Sequence, residues 1–585
     1  MNFSATGCAV EALREEIRQS QAWREPKGGL HVVWPKSYSA SERLRIENRR
    51  TTKEGLVKLN QGWKRLVGVA TIAGSVAGIM ASTAAQAQER IPGEYLVKYK
   101  DASFTKMLSI QSTPSLKVMD QNERAQLMKV RVNGAIETRA LAQLLSNPNV
   151  EYVVPNIKLR SYFVRGQVQE IPRTLARLQD QYSLKKTNAE AAWAKAGNKG
   201  SKNIIVAVID TGVDYQHESL RTNMVAGYDF RENDADPMDK TSAQNPGHGT
   251  HCAGAVGASG LVDGGMLGLS PEVTIMPIRF LGEDGSGDLN NGIKSIDFAI
   301  QKGAHIISAS WGAAVPRSQA QPLIEAVKRA SDAGVTFIAA AANDGKNNDR
   351  TDVFPANAIF DNTISVAASD ENDGKPSWSN YGKGTVHVAA PGNNIISTLP
   401  KNKYGKLSGT SMATPLVSGL AAFLKAQDNS LTGADLRAVM QHTGSKVNID
   451  VACNCRVDAL GAVETVLNQK MFVVPAAATM KAGDKQQFGA KYAKGALTYS
   501  VANTSIGEID ANGMFTAKAD GETTVTVRDS SGQTSTSLAI RVGASSGGSN
   551  PGDPGDPGNG GECPLGDPML CQIMCGIMPD APWCQ

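Results

Sequence analysis

A chain of 585 residues is too long for one ordinary domain and points to three or four. With 60 Lys and Arg against 56 Asp and Glu, its net charge of +4 argues against a dedicated nucleic-acid binder, which needs a concentrated basic face. An apolar content of 41% is enough for sizeable cores, and 58 glycines imply many tight turns and close backbone approaches.

Residues 1–63 are polar and charged. Lys64-Arg65 then precede an apolar run from Leu66 to Met80, and small residues lead to Ala85-Gln86-Ala87. That order is the pattern of a secretory signal peptide over 64–87, with cleavage expected after Ala87 and a secreted product. The run is short and weakly apolar for a membrane span, so no span is expected in the mature form. The preceding 63 residues make an unusually long leader, and a translation start nearer Leu56 or Leu59 would account for them.

Glu94 to Tyr99 alternates like a strand, an Ala/Leu-rich stretch around Arg139 to Leu145 reads as a helix, and Val150 to Pro155 reads as a second strand. Together they form a small α/β unit over 92–160. Residues 161–180 have no clear period and read as an exposed connector. Over 181–468, apolar strands such as Ile204 to Ile209 alternate with helical stretches such as Leu323 to Ala333. This predicts an α/β domain with a parallel sheet and helices on both faces. Period-2 segments such as Thr523 to Val527, separated by turns, predict a small β-sandwich over 471–542. A Gly/Pro/Asp linker follows over 543–562. The last segment, 563–585, carries Cys563, Cys571, Cys575 and Cys584 and is too small to bury a core unaided. Two disulfides are the expected staples, with metal binding by the thiols as the alternative.

Three segments carry the chemistry. An apolar strand ends at Asp210 in Val208-Ile209-Asp210-Thr211-Gly212. His248 lies between glycines in Gly247-His248-Gly249-Thr250-His251-Cys252. Ser411 opens a helical run in Gly409-Thr410-Ser411-Met412-Ala413-Thr414-Pro415. An unassisted serine hydroxyl is a poor nucleophile; it needs a base to take its proton and a third group to orient that base. A helix start also aims backbone N–H groups at developing negative charge. Each motif alone is weak, but their order, Asp, His, Ser, is one in which this triad recurs.

On these residues, at separations of 38 and 163, the chain resembles the subtilisin-like serine proteases over roughly 181–468. The resemblance implies a serine endopeptidase with Asp210, His248 and Ser411 as its triad. It implies polypeptide substrates, no organic cofactor, and a monomer. Ala339 to Gly345 is similar to the family's oxyanion segment, which would make Asn343 the side-chain donor. Gly285-Ser286-Gly287 and Ser310-Trp311-Gly312 resemble the two strands that sandwich an extended substrate, a mode suited to a broad range of peptides. The unit 92–160 resembles the family's inhibitory propeptide, an intramolecular inhibitor cut away autocatalytically between Leu159 and Gln181. The segment 471–542 resembles bacterial immunoglobulin-like domains through Thr498-Tyr499-Ser500 and Gly507 to Gly513.

The chain departs from the family pattern at three positions. Ala342 stands where many relatives have Gly beside the primary specificity pocket, Leu416 where His often follows Thr-Pro, and Ser219 where an Asp often binds calcium. The acidic loop with Asp234, Asp236 and Asp239 has the hard oxygen ligands calcium requires, and equally reads as a solvated loop. Cys252 is expected to be a packed, free thiol near His248; Cys453 and Cys455 could bridge each other or pair elsewhere. The alternative to a protease is a secreted adhesion protein with a vestigial catalytic domain, against which the intact Asp, His, Ser and Asn set weighs.

Overall fold

The computed structural model describes residues 90–100, 116–134, 137–164, 168–260 and 266–543. The leader and signal segment, nearly all of the linker, and the Cys-rich tail lie outside them.

At the centre is a nine-stranded sheet. The strand Ile205–Asp210 runs parallel to Thr274–Arg279 on one side and to Ile306–Ala309 on the other. Thr336–Ala340, Thr363–Ser369 and Val388–Pro391 continue the parallel order. Alternation along the central strand feeds two cores. Val206 and Val208 pack on one face with Val256, Val417 and Leu420, whereas Ala207 and Ile209 pack on the other with Ile293, Ile296 and Leu323. Both faces are thus covered by helices: His248–Gly257 and Thr410–Gln427 on the first, Leu289–Gln301 and Arg317–Asp332 on the second. This is the α/β arrangement expected of strands that are apolar on both sides. Asp210 ends its strand at the carboxyl edge, where open parallel sheets place their sites.

The N-terminal unit has more strands than its sequence suggested. Leu116–Asn122 and Leu127–Val132 form a hairpin, and the latter pairs with Arg90–Tyr99, which in turn pairs with Val150–Ser161, all antiparallel. The helix Glu137–Leu145 covers one face over Tyr95, Val97, Val130 and Val153. Leu116–Asn122 was missed because its second half, Asp120-Gln121-Asn122, is polar and breaks any apolar alternation, and Asn122 is its one buried residue. The predicted connector also starts later than expected. Val150–Ser161 runs on to the edge of the predicted connector, and Phe163 is buried; among the described residues of the connector, Val168 is the first exposed one.

Beyond the helix Ala459–Leu467, short strands from Phe472–Val474 to Ile540–Val542 close a small β unit around Val473, Phe488, Phe515, Val525 and Val527.

Candidate active site

Asp210 and His248 are both fully buried, and Nδ1 of His248 lies 2.6 Å from Oδ1 of Asp210. The helix holding His248 starts hard against the strand end: a Cβ on Gly249 would fall 2.1 Å from the Gly212 carbonyl. Burial disfavours the imidazolium, but the adjacent Asp210 carboxylate outweighs it and holds His248 well above the ordinary histidine range. Nε2 of His248 is buried and has no hydrogen-bond partner. Ser411 lies in the first turn of its helix, and its Oγ donates to the Ser310 carbonyl at 2.9 Å. A rotation about its Cα–Cβ bond is therefore needed to address His248.

Asn343 is aimed by its own acceptor. Its Oδ1 takes hydrogen bonds from the Thr410 amide and Oγ1, both at 2.9 Å, leaving Nδ2 buried and unpaired. Gly409 adopts φ 153° beside it, and a Cβ there would fall 3.1 Å from that Nδ2 and 2.5 Å from the Tyr162 carbonyl oxygen. An unpaired buried amide costs free energy, so a donor held this way is poised for an oxyanion.

The two segments expected to bind substrate, Gly285-Ser286-Gly287 and Ser310-Trp311-Gly312, each contribute to a short strand. Ser286–Asp288 and Trp311–Gly312 flank the extension of Val150–Ser161, one on each side. Gly285 and Ser310 add carbonyl acceptors next to them. Trp311 is anchored through Nε1 on the Ile209 carbonyl at 2.7 Å, tying the cleft wall to the strand that carries Asp210. Ala342 has φ 84°, a left-handed conformation that costs a residue with a Cβ roughly 1–2 kcal/mol. This explains why glycine is the easier choice there.

The acidic loop is corrected by the structure. Asp239 is buried and both its oxygens are taken by protein donors. Oδ1 accepts from Thr211 Oγ1 (2.9 Å) and Asn245 Nδ2 (3.0 Å), and Oδ2 accepts from the Thr250 amide (2.9 Å) and Oγ1 (2.7 Å). Burial pushes its carboxyl up to about 6 despite these bonds. Asp234 and Asp236 are exposed and bond locally to the Asp236 amide and to Tyr215 Oη. Among the described residues the three carboxylates do not converge, so they do not fit a calcium ion. Asp239 instead pins the turn after Asp210 to the helix of His248. Sequence proximity suggested a ligand cluster; the missing signal was that Thr211 and Thr250 come from opposite sides of the loop.

Ser219 is also engaged internally, with its Oγ 2.8 Å from Tyr404 Oη, and Leu416 is buried in the core behind the nucleophile. Cys252 is a buried free thiol whose Sγ donates to the Ser411 carbonyl at 3.4 Å, and burial pushes its pKa up. Cys453 and Cys455 are joined to each other.

Comparison with known proteins matches three families along the chain. The model of the subtilase family matches residues 201–490, the bacterial Ig-like domain (group 2) matches 468–540, and the fervidolysin N-terminal prodomain matches 77–156. A thermophilic serine proteinase of Bacillus sp. (strain AK1) is 34% identical over 360 residues, 61% of this chain and 83% of the relative. Thermitase of Thermoactinomyces vulgaris is 39% identical over 268 residues, 46% of this chain and 89% of the relative. The major intracellular serine protease of Bacillus subtilis is 40% identical over 246 residues, 42% of this chain and 75% of the relative. The chain belongs to the subtilase family: it is a subtilisin-like serine endopeptidase with a fervidolysin-like prodomain in front of its catalytic domain and an Ig-like domain behind it.

Proposed function

We propose that this protein is a secreted zymogen that hydrolyses peptide bonds through an acyl-enzyme on Ser411. His248 takes the Ser411 proton and returns it to the leaving amine. Asp210 orients His248 and stabilises its charged form, and the Ser411 amide and Asn343 Nδ2 hold the oxyanion. The observation that carries the reading is the 2.6 Å Asp210–His248 pair beside a buried, unpaired Asn343 amide. Substrates bind extended between Gly285-Ser286-Gly287 and Ser310-Trp311-Gly312, with main-chain pairing that tolerates many sequences. Ala342 borders the pocket for the residue before the scissile bond.

The prodomain, taken as 92–160, inhibits by lying on the catalytic domain, 181–468, and is removed by the enzyme itself. The module 471–542 serves as a spacer. Export rests on the signal pattern over 64–87, and the mature enzyme acts as a monomer. Among the described residues no helix is long and apolar enough to cross a membrane. A Ser411→Ala chain should accumulate uncleaved and leave a peptide substrate intact, while the unaltered chain is cut and active. Equal processing of the two chains would overturn the reading.

A further inference from the structure

The last strand of the prodomain enters the cleft in a fixed register. Leu159 faces Gly287, Arg160 faces both Ser286 and Gly312, and Ser161 faces Trp311. At the end of the strand the Ser161 amide donates to the Gly285 carbonyl, and just past it the Tyr162 amide donates to the Ser310 carbonyl, each at 3.0 Å. The Ser411 amide then donates to the Tyr162 carbonyl at 3.1 Å, and the Val164 amide donates to the Ser408 carbonyl at 2.7 Å. The carbonyl seated on the nucleophile's own amide is that of Tyr162, and Asn343 Nδ2 lies around the same glycine, Gly409. On the far side, the Phe163 ring is buried 5.4 Å from the imidazole of His248.

Resting on the acyl-transfer reading above, we propose that the first cut falls between Tyr162 and Phe163, and that the mature enzyme prefers the side chains this segment presents. Ser411 Oγ bonds to the Tyr162 carbonyl carbon and its proton passes to His248. The Tyr162–Phe163 C–N bond breaks, and the Phe163 nitrogen takes that proton to become the new N-terminus. Water, deprotonated by His248, attacks the ester carbon; the bond to Ser411 Oγ breaks, His248 returns the proton to that oxygen, and the new acid on Tyr162 ionises to a carboxylate.

The pockets account for the preference. The Tyr162 ring lies on Gly312, where a Cβ would fall 2.9 Å from its Oη and 3.0 Å from its ring. Leu159 is fully buried, over Gly292 and Phe280; a Cβ on Gly292 would fall 3.0 Å from its Cδ1. Arg160 and Ser161 are partly exposed. The preferred substrate class is therefore an extended polypeptide with an aromatic residue before the scissile bond, a branched aliphatic residue three positions earlier, and an apolar residue after it.

The test follows the first cut over time by intact mass of both fragments, in the unaltered chain and in Ser411→Ala. The expected result is a released fragment ending at Tyr162, its partner beginning at Phe163, and an intact Ser411→Ala chain. A released fragment ending elsewhere overturns the assignment but leaves the acyl-transfer reading standing. No cut in the unaltered chain, or a cut in Ser411→Ala, overturns that reading itself. The matured enzyme is then given a peptide spanning Lys158 to Val164 and its variants. Tyr162→Asp should lower kcat/KM by about 100-fold and Leu159→Ser by about 10-fold, while Tyr162→Phe stays within a few-fold. Equal turnover of the three variants would overturn the preference.

Discussion

Two small β-rich units flank the catalytic domain, and they are attached differently. The prodomain has its own core around Tyr95, Val97, Val130 and Val153, and meets the helices Leu289–Gln301 and Arg317–Asp332 through an apolar centre edged by ion pairs. Asp120 accepts from Lys294 at 2.9 Å and from Asn290 at 2.8 Å, and Lys98 lies 3.3 Å from Glu325. Its last strand then continues to Ser411. The Ig-like module likewise places Phe472 and Ala476 within one catalytic core, as the prodomain places Leu96, Leu127, Val154 and Ile157 within the other. Lys491 lies 3.3 Å from Asp435, and Tyr492 Oη donates to Asp428 at 2.7 Å. Among the described residues, these contacts involve none of the groups that bond to the segment Leu159 to Val164. The two joints differ in reach rather than in kind: the prodomain's chain runs on to the nucleophile, where the Ser411 amide donates to the Tyr162 carbonyl, whereas the module's contacts are to Asp428 and Asp435.

That contrast can be broken at its catalytic end. Asn343→Leu should lower both the first cut and peptide turnover by about 10²–10³, with the prodomain still docked. Normal turnover in this variant would remove Asn343 from the oxyanion site.

A smaller effect is expected at the rim. Asp120→Asn should weaken inhibition by the released prodomain about fivefold, the worth of a partly exposed pair. The pair also sets a pH dependence. Burial pushes the Asp120 carboxyl up, but Lys294 and its hydrogen bonds outweigh that and leave it below the ordinary aspartate value of 3.8. A carboxyl lowered by docking contributes above its free value and loses that contribution only as pH falls through the docked one. Inhibition titrated from neutral pH down to about 5 should therefore show no loss from Asp120, and Asp120→Asn should not alter the profile there. A loss in that window that Asp120→Asn abolishes would contradict the ion pair.

The smallest effect belongs to the other joint. Tyr492→Phe should lower stability by about 1 kcal/mol through its lost bond to Asp428. It should leave kcat/KM unchanged within about twofold, since distant sites act independently. A larger change in turnover would mean that the module is coupled to the cleft after all.

Local patterns carried much of this protein. An apolar strand ending in Asp210, a glycine-flanked His248 at a helix start, Ser411 in the first turn of another helix and the Asn343 segment were each visible in a few consecutive residues. Strand-like residues likewise marked Glu94 to Tyr99 and Val150 to Pro155, although Glu94 to Val97 and Val153 to Ile157 are buried consecutively rather than alternately because both faces of these strands are covered. Other features depended on partners distant in the chain. Asp239 read as a cation ligand until Thr211, Asn245 and Thr250 took its oxygens. Residues 161–164 lacked any period because the cleft, not a sheet of their own unit, buries Phe163 and orders the backbone around Tyr162. Hydrophobic period and turn chemistry are properties of neighbours along the chain, so the sequence by itself determined the segments and their chemistry. Which carbonyl meets Ser411, and which carboxylate is already satisfied, are properties of neighbours in space, and only the tertiary structure decided them.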